Sequence, residues 1–415
     1  MKQTTTPLWI GCIADDFTGG SDAASFLRRA GLDTILINGD HLPDALPAPR
    51  PEALVVALKS RSVPASKAVS RSLQTARWLL AQGAQHLYFK YCSTFDSTPQ
   101  GNIGPVTDAL LELTGEPYTV LCPSLPVNGR TVENGILYVH GVPLADSPMK
   151  DHPVNPMRKS SLPELMAEQS AYPCAALTRS QMADPAALPQ LGPHHTLVPP
   201  YTSDEDGQKI AERFGHLRLL TGGSGLLQHL GARYLRDRTR RTPGPAPAGA
   251  KALPRLLLSG SCSVMTQRQV AAYRSSGGAA VRIDPAKLLS GEQTEASLLD
   301  AIDDAPGDLL LHSTAGAEEV AGYQSLGAKR ISALLEGLMG RLAIHGQQRG
   351  FRRIVVAGGE TSGAVIQALG ASIFRIGAEA APGVPELWPA DRPGLCLILK
   401  SGNFGAKDFF LTAMR

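Results

Sequence analysis

The sequence has no C-x-x-C pair, no H-E-x-x-H helix motif and no EF-hand loop. Its six cysteines (Cys12, Cys92, Cys122, Cys174, Cys262 and Cys396) fall at none of the spacings that zinc sites use. That excludes a zinc-stapled or thioredoxin-like chain and leaves reduced, mostly buried thiols of a cytoplasmic protein. No run of 18 apolar residues occurs, so no transmembrane helix is expected. A surplus of either charge is also missing: 40 basic against 37 acidic residues is too even to imply nucleic acid or an anionic membrane as partner. The N-terminal MKQTTTPLWIGCIADD lacks the long apolar region and small-residue cleavage site of a signal peptide and reads as a first β-strand. No repeat of 20–50 residues is visible. Neither G-x-x-x-x-G-K-[ST] nor a clean G-x-G-x-x-G is found, which excludes a Walker-type NTPase and weakens a dinucleotide reading.

What is there is ordinary apolar content, 43% of 415 residues, enough for two cores. Glycine (42) and proline (32) are frequent while aromatics are sparse at 5%, which suits an α/β protein with many short turns. Short apolar runs alternate with helical patterns. Strands are expected at 8–14, 34–38, 53–58, 86–91 and 118–122, with helices at 21–30 (Ser21 as N-cap), 64–82 and 102–113. This βα alternation is the signature of a mostly parallel sheet covered by helices. Residues 124–160, rich in Pro, Gly and Asn, interrupt it with an ordered loop and a short hairpin (135–139 with 142–144). The alternation resumes through 196–198, 207–214, 217–220 and 225–236. RTRRTPGPAPAGAKALP then reads as an exposed semi-rigid linker. The second half restarts with strands at 255–258, 279–283, 308–312, 352–357 and 395–399, and helices at 294–304, 327–348, 361–369 and 406–414. The expectation is two α/β domains with mostly parallel sheets and an inter-domain cleft: residues 1–237, a linker over 238–254, and residues 255–415.

Ligands of open α/β sheets collect at the carboxyl ends of strands, so polar strand-to-loop junctions are the candidate sites. IADDFTGGSD places Asp15 and Asp16 after the first strand. Such a pair can bind substrate hydroxyls, take a proton as general base, or simply cap a turn. Lys59-Ser60-Arg61-Ser62 follows the third strand and can bind a carboxylate or phosphate, or form a surface charge patch. KYCSTFDST crowds Lys90, Asp96, Ser97 and Thr98 ahead of a helix, an anion site or an ordinary cap. In the second half, SGSCS (Ser259, Gly260, Ser261), AGGETSG (Gly358, Gly359, Glu360, Thr361, Ser362) and KSGNFG (Gly402, Asn403) each follow a strand. Three such Gly- and hydroxyl-rich loops in one domain point to a nucleotide, with phosphates cradled on backbone N–H groups. The ten histidines are scattered apart from His194-His195, read as a loop pair. Any metal is expected to be Mg²⁺ brought in with nucleotide phosphates.

Taken together, these segments, with CPSLPVNGRT and HPVNPM, resemble the four-carbon acid sugar kinase family, long known as a domain of unknown function. The resemblance runs from the first strand to the last loop. It implies an N-terminal acid-sugar domain, a C-terminal ATP domain and phosphoryl transfer to a terminal hydroxyl. KYCSTFDST with HPVNPM is similar to the 3-oxo-tetronate kinase branch. The D-threonate and D-erythronate kinase branch tends toward K-x-D-S-T-x-R-G, and no Arg follows Thr98 here. TGGSD stands where TGATD is common, and Asn155 where Thr is common.

The resemblance implies MgATP on Gly358–Thr361, framed by Ser259, Gly260, Ser261, Ser362, Gly402 and Asn403. It implies an acid sugar among Asp15, Asp16, Arg61, Lys90, Asp96 and Ser97. Arg61 and Lys90 are the candidates for its carboxylate, Asp16 and Asp96 for its hydroxyls, and Asp16 for the base. The partners are then a small acid sugar and ATP, with neither nucleic acid nor membrane, and a homo-oligomer left open. Two other classes stay in view. A Schiff-base or metal-dependent sugar-acid enzyme would leave the glycine-rich second domain unexplained. A nucleotide-binding sensor would not need the polar loops of the first.

Overall fold

The computed structural model describes residues 7–39, 42–151, 155–189, 191–236 and 254–413. The chain divides into two compact units, Met1–Gly244 and Pro245–Arg415. Apart from Pro254, the linker expected over 238–254 lies outside the described residues, as does the final residue of the expected 406–414 helix. Among the described residues no helix is long and apolar enough to cross a membrane.

The first unit is built on eight strands: β1 (Ile10–Ala14), β2 (Thr34–Asn38), β3 (Ala53–Ala57), β4 (His86–Lys90), β5 (Tyr118–Cys122) and, after an insertion holding β6 to β8, β9 (Cys174–Ala176), β10 (His195–Val198) and β11 (Leu219–Gly222). Their order is β2-β3-β1-β4-β11-β5-β10-β9, and every pairing is parallel. IGCIA and ALVVA are buried along their whole length, as expected of strands covered on both faces. The first helix runs Phe17–Ala30, four residues earlier than the sequence suggests, and its N-cap is Asp16 rather than Ser21. The Gly19-Gly20 pair, which reads as a turn, lies inside the helix. A Cβ on Gly20 would stand 2.7 Å from that of Ala57, so glycine here lets the helix lie close against β3.

The insertion is a three-stranded antiparallel sheet of β6 (Arg130–Glu133), β7 (Ile136–Val139) and β8 (Val142–Pro143). The expected hairpin is β7–β8, and β6 is added to it. Asn134-Gly135 and His140-Gly141 join these strands, all four with positive φ, the backbone of two-residue primed turns that suit the strand twist.

The second unit carries β12 (Arg255–Ser259), β13 (Ala279–Arg282), β14 (Leu309–His312), β15 (Arg353–Ala357), β16 (Ile373–Ala381), β17 (Val384–Pro389) and β18 (Cys396–Lys400). The order is β13-β14-β12-β15-β18-β17-β16. The first five are parallel, while β17 runs antiparallel to both β18 and β16, a hairpin that the βα rhythm does not announce. The helix Val264–Ser275, capped by Ser263, and the helix Ala317–Ser325 are likewise additions to the sequence reading, and the last helix is only Phe409–Thr412. Leu257, Leu310, Val355 and Ile398 pack with Phe409 and Phe410 into one core.

At the start of β12, Arg255 is 2% exposed. Its Nε donates to Asp308 Oδ2 at 2.9 Å, its backbone N–H to Asp308 Oδ1 at 2.7 Å, and its Nη1 to the Ala413 carbonyl at 2.7 Å. Removing the carboxylate leaves a buried guanidinium without its counter-charge. Asp308→Ala is expected to cost about 3 kcal/mol, at the low end for a broken buried pair because Asp308 is partly exposed. Urea unfolding of the two proteins checks this, and an unchanged midpoint would refute it.

Candidate active site

Parallel topology decides where the first site sits. β1 lies between β3 and β4, with Ala14 level with Ala57 on one side and Lys90 on the other. The chain leaves β1 toward β2 and β3, then crosses back to β4. That reversal is a topological switch point, where strand-end loops splay apart and leave room for a ligand. IADD, KSRS and KYCSTFDST are the loops that follow these three strands.

Arg61 ties them together. Its Nε and Nη2 hold the two oxygens of Asp15 at 2.9 and 2.8 Å, and its Nη1 lies 2.5 Å from Asp16 Oδ2. Asp96 Oδ2 is farther, at 4.0 Å. The Asp15 carbonyl accepts from the N–H groups of Ser60 and Arg61, so backbone and side chain both dock the KSRS loop on β1. Asp16 Oδ1 accepts from the Gly19 N–H as a helix cap, with Thr18 Oγ1 at 3.4 Å. Burial pushes the Asp15 carboxyl above its ordinary value despite the Arg61 charge, with Asp16 adding to the rise. Burial also works against the charge on Asp16. Arg61, Lys90 and the Gly19 N–H outweigh it and hold that carboxyl below its ordinary value. Of the pair, Asp16 is therefore the carboxyl whose charged form the surroundings favour more.

Lys90 ends β4, is buried, and donates to the Tyr91 carbonyl at 2.9 Å. A Cβ on Gly19 would lie 3.3 Å from its Nζ, which puts the ammonium beside the Asp16 cap. Asp96 accepts from Asn155 Nδ2 at 2.7 Å, and so joins the KYCSTFDST loop to the described part of HPVNPM. Residues 152–154 of that motif lie outside the described residues. Asp96 is not a helix cap: Asn102 stands at that position before the helix Ile103–Thr114 and makes no side-chain cap bond. Phe95, just before Asp96, is fully buried with φ +49°, a left-handed backbone that costs a bulky residue about 1–3 kcal/mol and turns the loop at the site. Ser97 is turned to Gln169, its Oγ donating to Oε1 at 3.2 Å.

Two residues here escape a reading by motif. Asn102 Nδ2 donates to the carbonyls of Ser60, Arg61 and Val63 at 2.6, 3.1 and 3.0 Å and so fixes the loop that presents Arg61. Gln169 binds both Ser97 and the Gly104 N–H. Neither is charged, and the partners of Asn102 are some 40 residues away, so no local pattern marks them.

In the second unit the strand ends are level as well: Ser259 pairs with His312 and with Ala357, and Ala357 with Lys400. The helix Gly359–Leu369 opens here with Gly358 (φ +122°) at its N-cap and no side-chain cap bond. Its first N–H groups are left for a ligand, as in anion sites at helix starts. Gly359 and Gly363 face open space, whereas a Cβ on Gly260 would fall 2.1 Å from Thr361 Oγ1 and one on Gly402 2.5 Å from Ser261 Oγ. The three glycine loops thus touch, and only glycine fits where they do. Thr266 is the shared partner, its Oγ1 donating to the Gly402 carbonyl at 2.8 Å with Ser261 Oγ at 3.2 Å. Gln269 Nε2 donates to the carbonyls of Phe404, Gly405 and Ala406. Glu360 and Asn403 are exposed at the rim, while Ser259 and Ser362 are fully buried, Ser259 Oγ lying 2.8 Å from Thr314 Oγ1. Burial pushes the Lys400 ammonium down to about 8, and its Nζ donates to Thr266 Oγ1 and to the carbonyls of Ser401 and Gly402, so it is built into the loop.

His312-Ser313-Thr314 forms a fourth strand-end loop beside these three, which the sequence reading passes over. Burial, with Arg274 and Arg282 nearby, pushes His312 down to about 4 from an ordinary 6.5. The unfolded chain binds this proton below pH 6.5, and the folded chain refuses it until about pH 4. The stability from a neutral His312 is therefore present above the unfolded value and is lost as pH falls through that window, by up to about 3 kcal/mol. His312→Asn should flatten the fall of the urea midpoint across the window. Parallel falls in the two proteins would refute it.

Two family models match, one described as a sugar-binding N-terminal domain over residues 10–230 and one as a nucleotide-binding C-terminal domain over residues 256–410. A curated protein of Brucella melitensis named 3-oxo-tetronate kinase is 42% identical over 98% of this chain and 95% of its own length. One of the same name from Methylobacterium radiotolerans is 43% identical over 98% and 99%. Among solved structures, a Salmonella typhimurium LT2 protein is 40% identical over 98% of this chain and 99% of its own, with a TM-score of 0.88. A Haemophilus influenzae protein of the family DUF1537 is 37% identical over 97% and 98%, with a TM-score of 0.78. With both domain models matched in order and full-length similarity on this scale, the chain belongs to the four-carbon acid sugar kinase family.

Proposed function

We propose that this protein transfers the γ-phosphoryl group of ATP to the terminal (4-) hydroxyl of a four-carbon acid sugar, 3-oxo-tetronate. The observation that carries the reading is that one chain holds both halves of such a kinase. A charged, hydrogen-bonding cluster sits on three adjacent strand ends of the first unit, and a glycine-lined helix N-terminus sits on the strand ends of the second. The full-length relatives named 3-oxo-tetronate kinase support the substrate class.

The sugar's hydroxyl oxygen attacks the γ-phosphorus, the bond to the bridging oxygen breaks, ADP leaves, and the hydroxyl proton passes to Asp16. Such a transfer asks chiefly for in-line positioning and neutralised charge. Asp16 is suited to the proton because it is ionised and held by the Gly19 N–H and Arg61. Asp15 acts through Arg61, and Asp96, at the same strand ends, is the candidate to take a sugar hydroxyl. The N–H groups from Gly359 to Thr361 would receive phosphate oxygens. Mg²⁺ would come in on the nucleotide, supplying positive charge to the phosphates, and it takes only one or two carboxylates besides water. Glu360, exposed in the first turn of that helix, is the carboxylate beside the phosphate loop. ATP is a cytoplasmic co-substrate, and the reading carries the protein to that compartment. All six cysteines are free thiols, as that compartment keeps them.

The direct test is ADP formation with 3-oxo-tetronate generated in situ from L-threonate or D-erythronate by a dehydrogenase, against the unoxidised acids and a blank. Turnover with the oxidised acid alone is expected. Turnover with an unoxidised acid would move the protein to the threonate or erythronate branch, and none in any well would refute the class. Asp16→Asn should lower kcat by about 10²–10⁴, the range for a lost general base. Asn caps helices as well as Asp, so the melting temperature should hold. A folded variant with full kcat would remove Asp16 from the role.

A further inference from the structure

The acid sugar carries a carboxylate, and the cluster at the switch point is poorly charged to receive one. Arg61 already spends its fork on Asp15 and its remaining nitrogen on Asp16. With Asp96, three carboxylates stand there against Arg61 and Lys90. A negative ligand group needs a further cation.

Arg130 opens β6, in the CPSLPVNGRT segment, and among the described residues it has no acidic partner within salt-bridge distance. Its Nη1 donates to the Asn128 carbonyl, and among the described residues its buried Nε has no hydrogen-bond partner and its Nη2 makes no bond. A half-buried guanidinium with so little compensation is costly to the free protein, which is what a ligand-binding cation looks like before its anion arrives. Burial holds its pKa below the ordinary value, and the Cys92 thiol of the KYCSTFDST loop lies within electrostatic reach of both Arg130 and Arg61. The backbone beneath it is fixed. Arg130 and Leu125 exchange N–H to carbonyl bonds at 3.1 and 2.9 Å. Gly129, at φ +71°, leaves room for the His140 ring, which a Cβ would meet at 2.3 Å.

We propose that Arg130 is the residue that binds the carboxylate of the acid sugar, presenting its unbonded edge to the carboxylate oxygens. This rests on the functional reading above and revises the sequence-based choice of Arg61 and Lys90, which serve the acidic cluster instead.

The test is calorimetric binding of the 3-oxo acid, and of erythrulose, to wild type and to Arg130→Gln. Erythrulose has the same four carbons with a hydroxymethyl group in place of the carboxylate. Losing a charge-assisted hydrogen bond should weaken binding of the acid by roughly 10- to 100-fold. Binding of erythrulose and ATP should change little. Should the Gln variant not fold, Arg130→Lys carries the test. It keeps the charge, loses the planar fork, and should bind the acid several-fold more weakly than wild type. Wild-type affinity for the acid in the folded variant, or an equal loss for erythrulose, would overturn the assignment while leaving the kinase reading intact. No binding of the acid by wild type would overturn the kinase reading, and this assignment with it.

Discussion

The first unit depends on one guanidinium. Arg61 reaches across from the end of β3 to hold both carboxylates that follow β1, bidentate on Asp15 and single on Asp16. Without that charge, two adjacent acids at a largely buried strand end would repel each other and one would take a proton. With it, Asp15 can be buried and Asp16 can stay ionised while capping a helix. The same contact fixes the separation of two of the three loops that form the site. Its consequence for binding is less obvious: a guanidinium so engaged has few donors left for a ligand's carboxylate.

The second unit solves a different problem, the close meeting of three backbones. Gly260, Gly358 and Gly402 come together around the side chains of Ser261, Ser263 and Thr361, where a Cβ at Gly260 or Gly402 would collide with a hydroxyl. Lys400, Thr266 and Gln269 then use their donors to hold the loops from beneath. The polar side chains nearest the helix start are mostly occupied with one another. The groups left over are the backbone N–H donors, which suit phosphate without regard to what it is attached to.

Much of this was legible in the chain. Apolar runs spaced by helical patterns name the parallel strands, and polar loops at strand ends name the candidate sites, because the fold delivers ligands there. What the pattern does not carry is partnership. Asp15 and Arg61 are 46 positions apart, and only the parallel register of β1 beside β3 brings them together. Asn102 and Gln169 act through amides bonded to distant backbone and look like any other polar residue. Arg130 lies in a segment that carries the resemblance, yet what singles it out is only how few partners it has among the described residues. The Ser21 cap was misread because Gly-Gly suggests a turn, whereas the Asp16 carboxylate and the fit against β3 draw both glycines into the helix. The extra strand β6 had its signal in Asn134-Gly135, a strong hairpin dipeptide. The domain limits read from the sequence stand as a proposal, since most of the linker falls outside the described residues.

In the proposed reaction, phosphate passes to the terminal carbon's oxygen and to no other. Phosphorus NMR of the reaction mixture, without proton decoupling, reads this position. One new phosphomonoester signal split by two protons is expected, as for phosphate on a CH₂–O group. A signal split by a single proton, from phosphate on the inner hydroxyl, or the growth of inorganic phosphate alone, would contradict it.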